Sequence, residues 1–216
     1  MINKLLELIR KFISLTPAII LAIYAHEFAH YYFAKKLDSK SVYWFKPRFL
    51  KVFDPLGVIM YYLYYYGWSR PYPINFWRLK AKSRSGLILT ILSGPLANLI
   101  IGVTSIFLFY IFKLINYCIY TAENVGDNIF LIFFSEIIYW ISIVNLNTAI
   151  FNMLPFPTLD GGNLIKVFAS EKYLQWSAKF QIYGILLLIV LSLIGIIQLL
   201  MIPVNEFVFW LSAFFN

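Results

Sequence analysis

The chain of 216 residues is 61% hydrophobic, 20% aromatic and only 13% charged, a balance that excludes an ordinary soluble domain and predicts a polytopic membrane protein. Its formal net charge of +8 does not indicate nucleic-acid binding, because the basic residues lie in short runs between apolar segments and form no continuous face. We therefore expect a lipid bilayer, and no nucleic acid, among its partners.

Long apolar runs divide the chain into spans, which we expect to form one domain over residues 1–216. Residues 1–11 carry apolar side chains at helical spacing and predict an interfacial amphipathic helix. Four further segments are each long enough to cross about 30 Å of hydrocarbon. They are residues 12–34, 86–112, 129–154 and 180–205, and residues 206–216 are predicted to form an interfacial tail.

Residues 35–85 have a different composition and contain eleven of the eighteen Lys and Arg residues. Aromatic and β-branched residues interrupted by proline and glycine favour short strands. Such backbone must pair with itself near the membrane, so the pattern predicts a small β-hairpin or sheet, acting as an interfacial aromatic belt or as a substrate-binding surface. The predicted fold class is an all-α polytopic membrane protein of about four transmembrane helices, with this β element and interfacial helices.

The first span contains both histidines of the chain, His26 and His30, with Glu27 between them. Residues four apart lie on one face of a helix, so the two imidazoles can bind one metal ion while Glu27 stays free to act on water. This His-Glu-x-x-His pattern is typical of zinc peptidases, although incidental histidines would give the same five letters. Ionisable groups inside a span are costly, which favours the metal site.

A catalytic zinc ion usually has three protein ligands, so the two histidines leave one to be found. Asp160, on irregular backbone after the third span, is the best candidate for the third ligand. Glu136 is expected near the interface and outside the catalytic site. Gly94-Pro95 in the second span predicts close helix packing with a kink, and Asn98 is a candidate for the polar network of the site.

Three separated motifs resemble the site-2 protease family of intramembrane zinc metallopeptidases, over roughly residues 15–170. The motifs are His26-Glu27-x-x-His30, Gly94-Pro95-Leu96-Ala97-Asn98, and Asn152-x-x-Pro155 followed by Leu159-Asp160-Gly161. The resemblance implies one zinc ion per chain, bound by His26, His30 and Asp160. It also implies that Glu27 is the general base and that Asn152 stabilises the oxyanion.

The expected activity is that of a zinc-dependent intramembrane endopeptidase, which hydrolyses peptide bonds within or near the transmembrane segments of substrate proteins. We expect the strand region or the segment Pro71–Asn75 to pair with the unwound substrate by strand addition. Ser69 and Tyr72 depart from the family's proline-rich segment, and we expect these departures to lie away from the chemistry. The alternatives are a catalytically silent membrane-embedded binding or chaperone-like protein of the same fold, another membrane zinc hydrolase, and a metal transporter.

The distribution of basic residues predicts the orientation in the membrane. Residues 35–84 and 166–179 hold eleven and three of the eighteen Lys and Arg residues, and the positive-inside rule places both regions in the cytoplasm. Spans one and three then run in the same direction. The resemblance is to a compact prokaryotic branch of the family, so we expect a multi-pass protein of the prokaryotic cell membrane with its active site toward the cytoplasmic side.

Overall fold

A computed structural model describes residues 2–42, 49–123 and 129–213 of the chain. Nine α-helices lie in these described ranges. In chain order they are α1 (Ile2–Leu37), α2 (Pro55–Tyr64), α3 (Phe76–Lys82), α4 (Arg84–Glu123), α5 (Ile129–Asn152), α6 (Asp160–Phe168), α7 (Glu171–Lys179), α8 (Gln181–Leu193) and α9 (Ile196–Ala213). Helices α1, α4 and α5 pack against one another and form the centre of the molecule.

Three helices are long and apolar enough to cross a membrane. They are Ile2–Leu37, Arg84–Cys118 and Ile129–Asn152. Their outward faces are apolar, with Ile100 62% exposed and Phe107 65% exposed, as a surface against lipid requires. The prediction of an α-helical membrane protein is confirmed. The segment 2–11 continues into the first span as one helix.

The predicted fourth span, residues 180–205, is not confirmed. Helix α8 ends at Leu193 and α9 begins at Ile196, with Gly195 at a positive φ of 86° between them. A fourth span results only if the helices Lys172–Lys179 and Tyr183–Leu193, bent by 64°, are taken as one. The predicted tail is helical as far as Ala213, because α9 continues through it.

The predicted β-hairpin or sheet of residues 35–85 is not confirmed. In the described part of this region, β-type pairing is limited to an isolated antiparallel bridge between Val42 and Ile74. Residues 43–48 lie outside the described residues. The aromatic run that favoured a strand is helical instead, because it forms α2.

Local capping explains why α2 forms. The carboxylate of Asp54 accepts hydrogen bonds from the backbone N–H groups of Leu56 and Gly57, at 3.0 and 3.2 Å. Pro55 occupies the first turn, where its missing N–H costs nothing and its φ suits a helix. A strong start signal therefore outweighs the strand propensity of the aromatic residues that follow.

The segment 67–75, which we call the proline strap, connects α2 to α3 without forming a helix. The N–H of Arg70 donates to the carbonyl of Val52 and the N–H of Asn75 donates to the carbonyl of Ser41, each at 2.8 Å. Prolines in the strap fix φ and lack N–H groups. The strap is thus held by bonds along its length, and two of its nine residues, Pro71 and Pro73, have no N–H to donate.

The cap of α2 can be tested by substitution of Asp54. We expect Asp54→Ala to lower the thermal midpoint of the purified protein in detergent by a few degrees, since loss of such a cap costs about 1 kcal/mol. Asp54→Asn is the matched control, because an asparagine oxygen caps a helix equally well but loses the ion pair with Arg70. Equal destabilisation by both variants would assign the effect to the ion pair.

Candidate active site

Three acceptor atoms from distant parts of the chain converge on one point. His26 Nε2 lies 3.0 Å from Asp160 Oδ2, His30 Nε2 lies 3.1 Å from the same oxygen, and the two Nε2 atoms are 3.1 Å apart. Both histidines are buried, at 4% and 8% exposure. The pair sits on one face of α1, as the spacing predicts, and Asp160 stands at the first residue of α6.

The opposite nitrogen of each imidazole fixes which nitrogen faces this point. His30 Nδ1 lies 2.7 Å from the carbonyl of Thr90, and a carbonyl can only accept, so Nδ1 must donate. His26 Nδ1 lies 2.7 Å from Asn98 Oδ1. The amide orientation of Asn98 is determined, because its Nδ2 donates to the carbonyl of Ala22 at 3.0 Å. Each neutral ring therefore presents an unprotonated Nε2 to the cluster.

The donor set fits a metal ion. Three acceptors this close repel one another unless a cation or protons lie among them. A tetrahedral zinc ion with bonds of about 2.0–2.1 Å separates its ligands by about 3.3–3.4 Å, which is close to the three distances observed. Burial raises the pKa of Asp160, but when the imidazoles of His30 and His26 are protonated, their charge and hydrogen bonds outweigh burial and hold that pKa below its ordinary range. The carboxylate is thus in the form that binds metal.

Helix α4 meets the histidines along a single stripe. Thr90, Gly94 and Asn98 are spaced four residues apart and so share one face of the helix. The first and last of them hold the two imidazoles. A Cβ on Gly94 would lie 2.4 Å from His30 Nε2 and 2.8 Å from His26 Cε1, so glycine is required for the close packing that the sequence predicted.

The candidate role of Asn98 in a polar network agrees with its contacts. Asn98 is fully buried, and its Nδ2 also donates to Asn145 Oδ1 at 2.9 Å. Asn145 in turn donates from Nδ2 to the carbonyl of Ile141. Every polar atom of the Asn98 amide is thereby used, as burial in a membrane helix requires. The network joins α1, α4 and α5 directly behind His26.

Glu27 is buried and is held by the proline strap. Ser69 Oγ donates to Glu27 Oε1 at 2.5 Å, and the backbone N–H of Tyr72 donates to Oε2 at 2.8 Å. The expectation that Ser69 and Tyr72 lie away from the chemistry is therefore wrong. Both residues lie 42 or more positions from Glu27 in the chain, so no local pattern in the sequence indicated the contact.

A cleft of about 70 Å³ brings these groups together. Glu27, both histidines, Asp160 and Asn152 line it. A cavity needs roughly 10–15 Å³ of this kind of space to hold one water, so the cleft has room for water molecules. Asn152 is the last residue of α5, and its Nδ2 donates one hydrogen to the carbonyl of Thr148 at 3.0 Å. The amide has a second hydrogen that this bond does not use.

Glu136 lies far from this cleft. It is separated from Asn152 by 16 positions of the same helix, which corresponds to about 24 Å. Its carboxylate pairs with Arg10 and accepts a hydrogen bond from Ser14. These contacts join the N-terminal half of α1 to α5 and give Glu136 a structural partner instead of a place in the cluster.

The fold and the cluster define a helical membrane protein with a buried centre suited to a metal ion. Residues 14–195 match the family model of Peptidase family M50, and the chain belongs to that family. The resemblance to site-2 proteases is thereby confirmed. Membership of this family indicates a metalloprotease, and the cluster of His26, His30 and Asp160 is consistent with that activity.

The chain is also similar to individual curated proteins. It is 28% identical over 206 residues to "Putative zinc metalloprotease YwhC" of Bacillus subtilis strain 168, across 92% of this chain and 86% of that protein. A Chlamydia pneumoniae protein, also named "Putative zinc metalloprotease", is 47% identical over 32 residues, which are 15% of this chain and 5% of that protein. No solved structure matches the chain.

The close approach of α4 leads to a test at Gly94. We expect Gly94→Ala to displace the imidazoles and to lower zinc occupancy at least tenfold at a fixed free zinc concentration, measured by elemental analysis of the purified protein. Gly184→Ala is the matched control, since the added Cβ would approach its nearest neighbour, a Thr158 methyl group, at an ordinary 3.4 Å. Full occupancy in Gly94→Ala would contradict the packing argument.

A second test addresses the partner of His26. We expect Asn98→Ala to weaken zinc binding about 10-fold to 100-fold, because the imidazole loses the acceptor that sets its tautomer. Titration with a competing chelator measures the affinity. Asn205→Ala, which removes the acceptor of another buried asparagine, Asn147, is the control for a general loss of polar contacts. Equal zinc affinity in both variants would refute the positioning role.

Proposed function

We propose that the protein is a zinc-dependent intramembrane endopeptidase that hydrolyses peptide bonds within or near transmembrane segments. The observation that supports this most strongly is the convergence of His26, His30 and Asp160, with Glu27 lining the same cleft. Membership of Peptidase family M50 gives the reaction class, and the three apolar helices give the membrane setting.

In this proposal His26, His30 and Asp160 bind one zinc ion per chain. When bound, zinc acts as a Lewis acid that lowers the pKa of water toward about 7 and polarises a carbonyl group. The protein's part is to present two neutral imidazoles and one carboxylate at fixed positions. The bonds from Nδ1 of each histidine to α4 supply that orientation before any metal arrives.

Glu27 is the proposed general base. It takes a proton from the attacking water as the oxygen bonds to the scissile carbon, and it delivers that proton to the amine as the carbon–nitrogen bond breaks. Ser69 and the N–H of Tyr72 each occupy one lone pair of a carboxylate oxygen and leave others free. The strap thus orients Glu27 without blocking it.

Asn152 is the proposed donor to the oxyanion. It lines the cleft with Glu27, and one hydrogen of its amide is bound to Thr148, which fixes the amide plane. The remaining hydrogen is the one available to the negative oxygen that develops on the scissile carbonyl. Loss of such a donor typically costs on the order of 10²–10³ in rate.

Strand addition to the substrate is harder to reconcile with the strap. Pro71 and Pro73 lack N–H groups, and the N–H groups of Tyr72 and Asn75 bind Glu27 and Ser41. The strap can therefore offer carbonyl acceptors to an unwound substrate but few donors. We keep pairing through these carbonyls as part of the proposal, with the active site facing the cytoplasm of a prokaryotic cell.

Glu27 distinguishes this proposal from the alternative, a catalytically silent membrane-embedded binding protein. Metal binding alone does not need a buried carboxylate next to the ligands. The strap bonds to both oxygens of that carboxylate, which is an expensive arrangement to keep in a protein that performs no proton transfer. The proposal therefore favours catalysis.

Substitution of Glu27 tests the mechanism. We expect Glu27→Gln to lower cleavage of a single-span substrate in vesicles by at least about 10²-fold while zinc content stays the same, because the amide cannot accept the proton. Glu136→Gln, a glutamate on another span that pairs with Arg10, is the matched control and should retain activity. Undiminished cleavage by Glu27→Gln would refute the mechanism.

A further inference from the structure

A second and larger cavity lies beside the cleft. Its volume is about 320 Å³, and residues of α3, α4, α6 and α7 line it. Four residues, Pro71, Phe76, Thr158 and Asn163, line both spaces. The volume is within the range of cavities that bind ligands, whereas the cleft has room for water and the reacting bond. We call this space the side cavity.

The side cavity combines apolar walls with two cations. Phe76, Trp77 and Leu87 are among its apolar lining residues, and Lys80 and Lys166 are the cations. The ion pairs found among the described residues involve neither of these lysines. Apolar walls favour an apolar occupant, and two lysines without an acidic partner favour one that also carries an acid group.

Lys166 is the better placed of the two lysines. Its Nζ donates to the carbonyl of Pro157 at 2.6 Å and to Asn163 Oδ1 at 2.9 Å. Both partners are neutral, and an ammonium group has three donors. Burial lowers the pKa of Lys166, because the ammonium charge is less stable away from water. A carboxylate at the third donor would offset that cost.

Thr158 supplies a second polar group at the junction of the two spaces. Its Oγ1 is buried and has no hydrogen-bond partner among the residues that the structure describes. Buried hydroxyls are nearly always paired, so an unpaired one is unusual. Because this oxygen has almost no accessible surface, rotation of the Thr158 side chain would be needed to bring it to a backbone group of a peptide that passes from the cleft into the side cavity.

We propose that the side cavity binds the substrate segment next to the scissile bond and selects an acidic residue there, whose carboxylate pairs with Lys166. Lys80 provides a second cation, and the apolar walls accept the neighbouring apolar side chain. This inference rests on the proposed protease function. A lipid phosphate has related chemistry, but the four shared lining residues place the cavity on the path of the substrate.

The test uses the full-length protein in vesicles of phosphatidylcholine with pairs of single-span substrates. Each pair differs by Glu against Gln at one position, scanned over the four residues on either side of the cleavage site. We expect one position where kcat/KM is about tenfold higher for Glu, as a charged hydrogen bond in a partly buried site provides. Lys166→Gln should remove most of that ratio, and Lys166→Glu should reverse it, so that the Gln substrate is cleaved faster than the Glu substrate.

Lys179→Gln is the matched control, because Lys179 is exposed on the neighbouring α7 and should leave the ratio as in the wild type. Lys80→Gln, whose lysine makes no contact with the Pro157 carbonyl, gives a second variant should Lys166→Gln fail to fold, and it should lower the ratio in part. The wild-type scan alone already tests the selection, without any variant.

Three outcomes overturn the inference. Wild-type cleavage with a ratio near one at every position refutes the acidic selection and leaves the protease function intact. A ratio near one together with a Lys166-dependent change of rate when phosphatidylglycerol replaces phosphatidylcholine assigns the lysine to a lipid headgroup. Absence of any cleavage that depends on Glu27 refutes the proposed function itself, and the inference falls with it.

Discussion

The convergence of two imidazole nitrogens and one carboxylate oxygen within about 3 Å is the constraint on which the rest of the structure depends. The three atoms are acceptors, they are largely buried, and they come from α1 and from the start of α6. Such an arrangement is unfavourable without a cation, so it persists only if packing holds it. The helices packed around the three atoms are what hold them in place.

Helix α4 provides most of the restraint through one stripe of its surface. The Thr90 carbonyl and the Asn98 side chain accept from the two imidazoles, and Gly94 between them lets the helix axes approach. Asn145 extends the restraint to α5 through its bond with Asn98. The pairing of His30 with Thr90 and of His26 with Asn98 shows that α1 and α4 run antiparallel here, with the two imidazoles held from positions two turns apart on α4.

The parts of the site that the sequence revealed are those whose geometry is local. His26 and His30 share a helix face by spacing alone, and Asp160 followed from the shortage of other ligands. The Ser69 and Tyr72 contacts with Glu27 were missed because they depend on how the strap folds back, and Thr90 acts through a carbonyl that every residue has. The strand prediction failed at α2 because the cap by Asp54 and Pro55 outweighed the aromatic composition.

The depth of the site bears on how the proposed hydrolysis could occur in a membrane helix bundle. Thr90 lies six residues from Arg84, and His30 lies five residues from Lys35, which place the cluster about 9 and 7.5 Å from the charged ends of α4 and α1. In a hydrocarbon layer of about 30 Å that is a shallow position on the side of the strap. Water therefore has a short path to the cluster. In the proposed reaction the substrate would have to unwind and bring a peptide bond to this level.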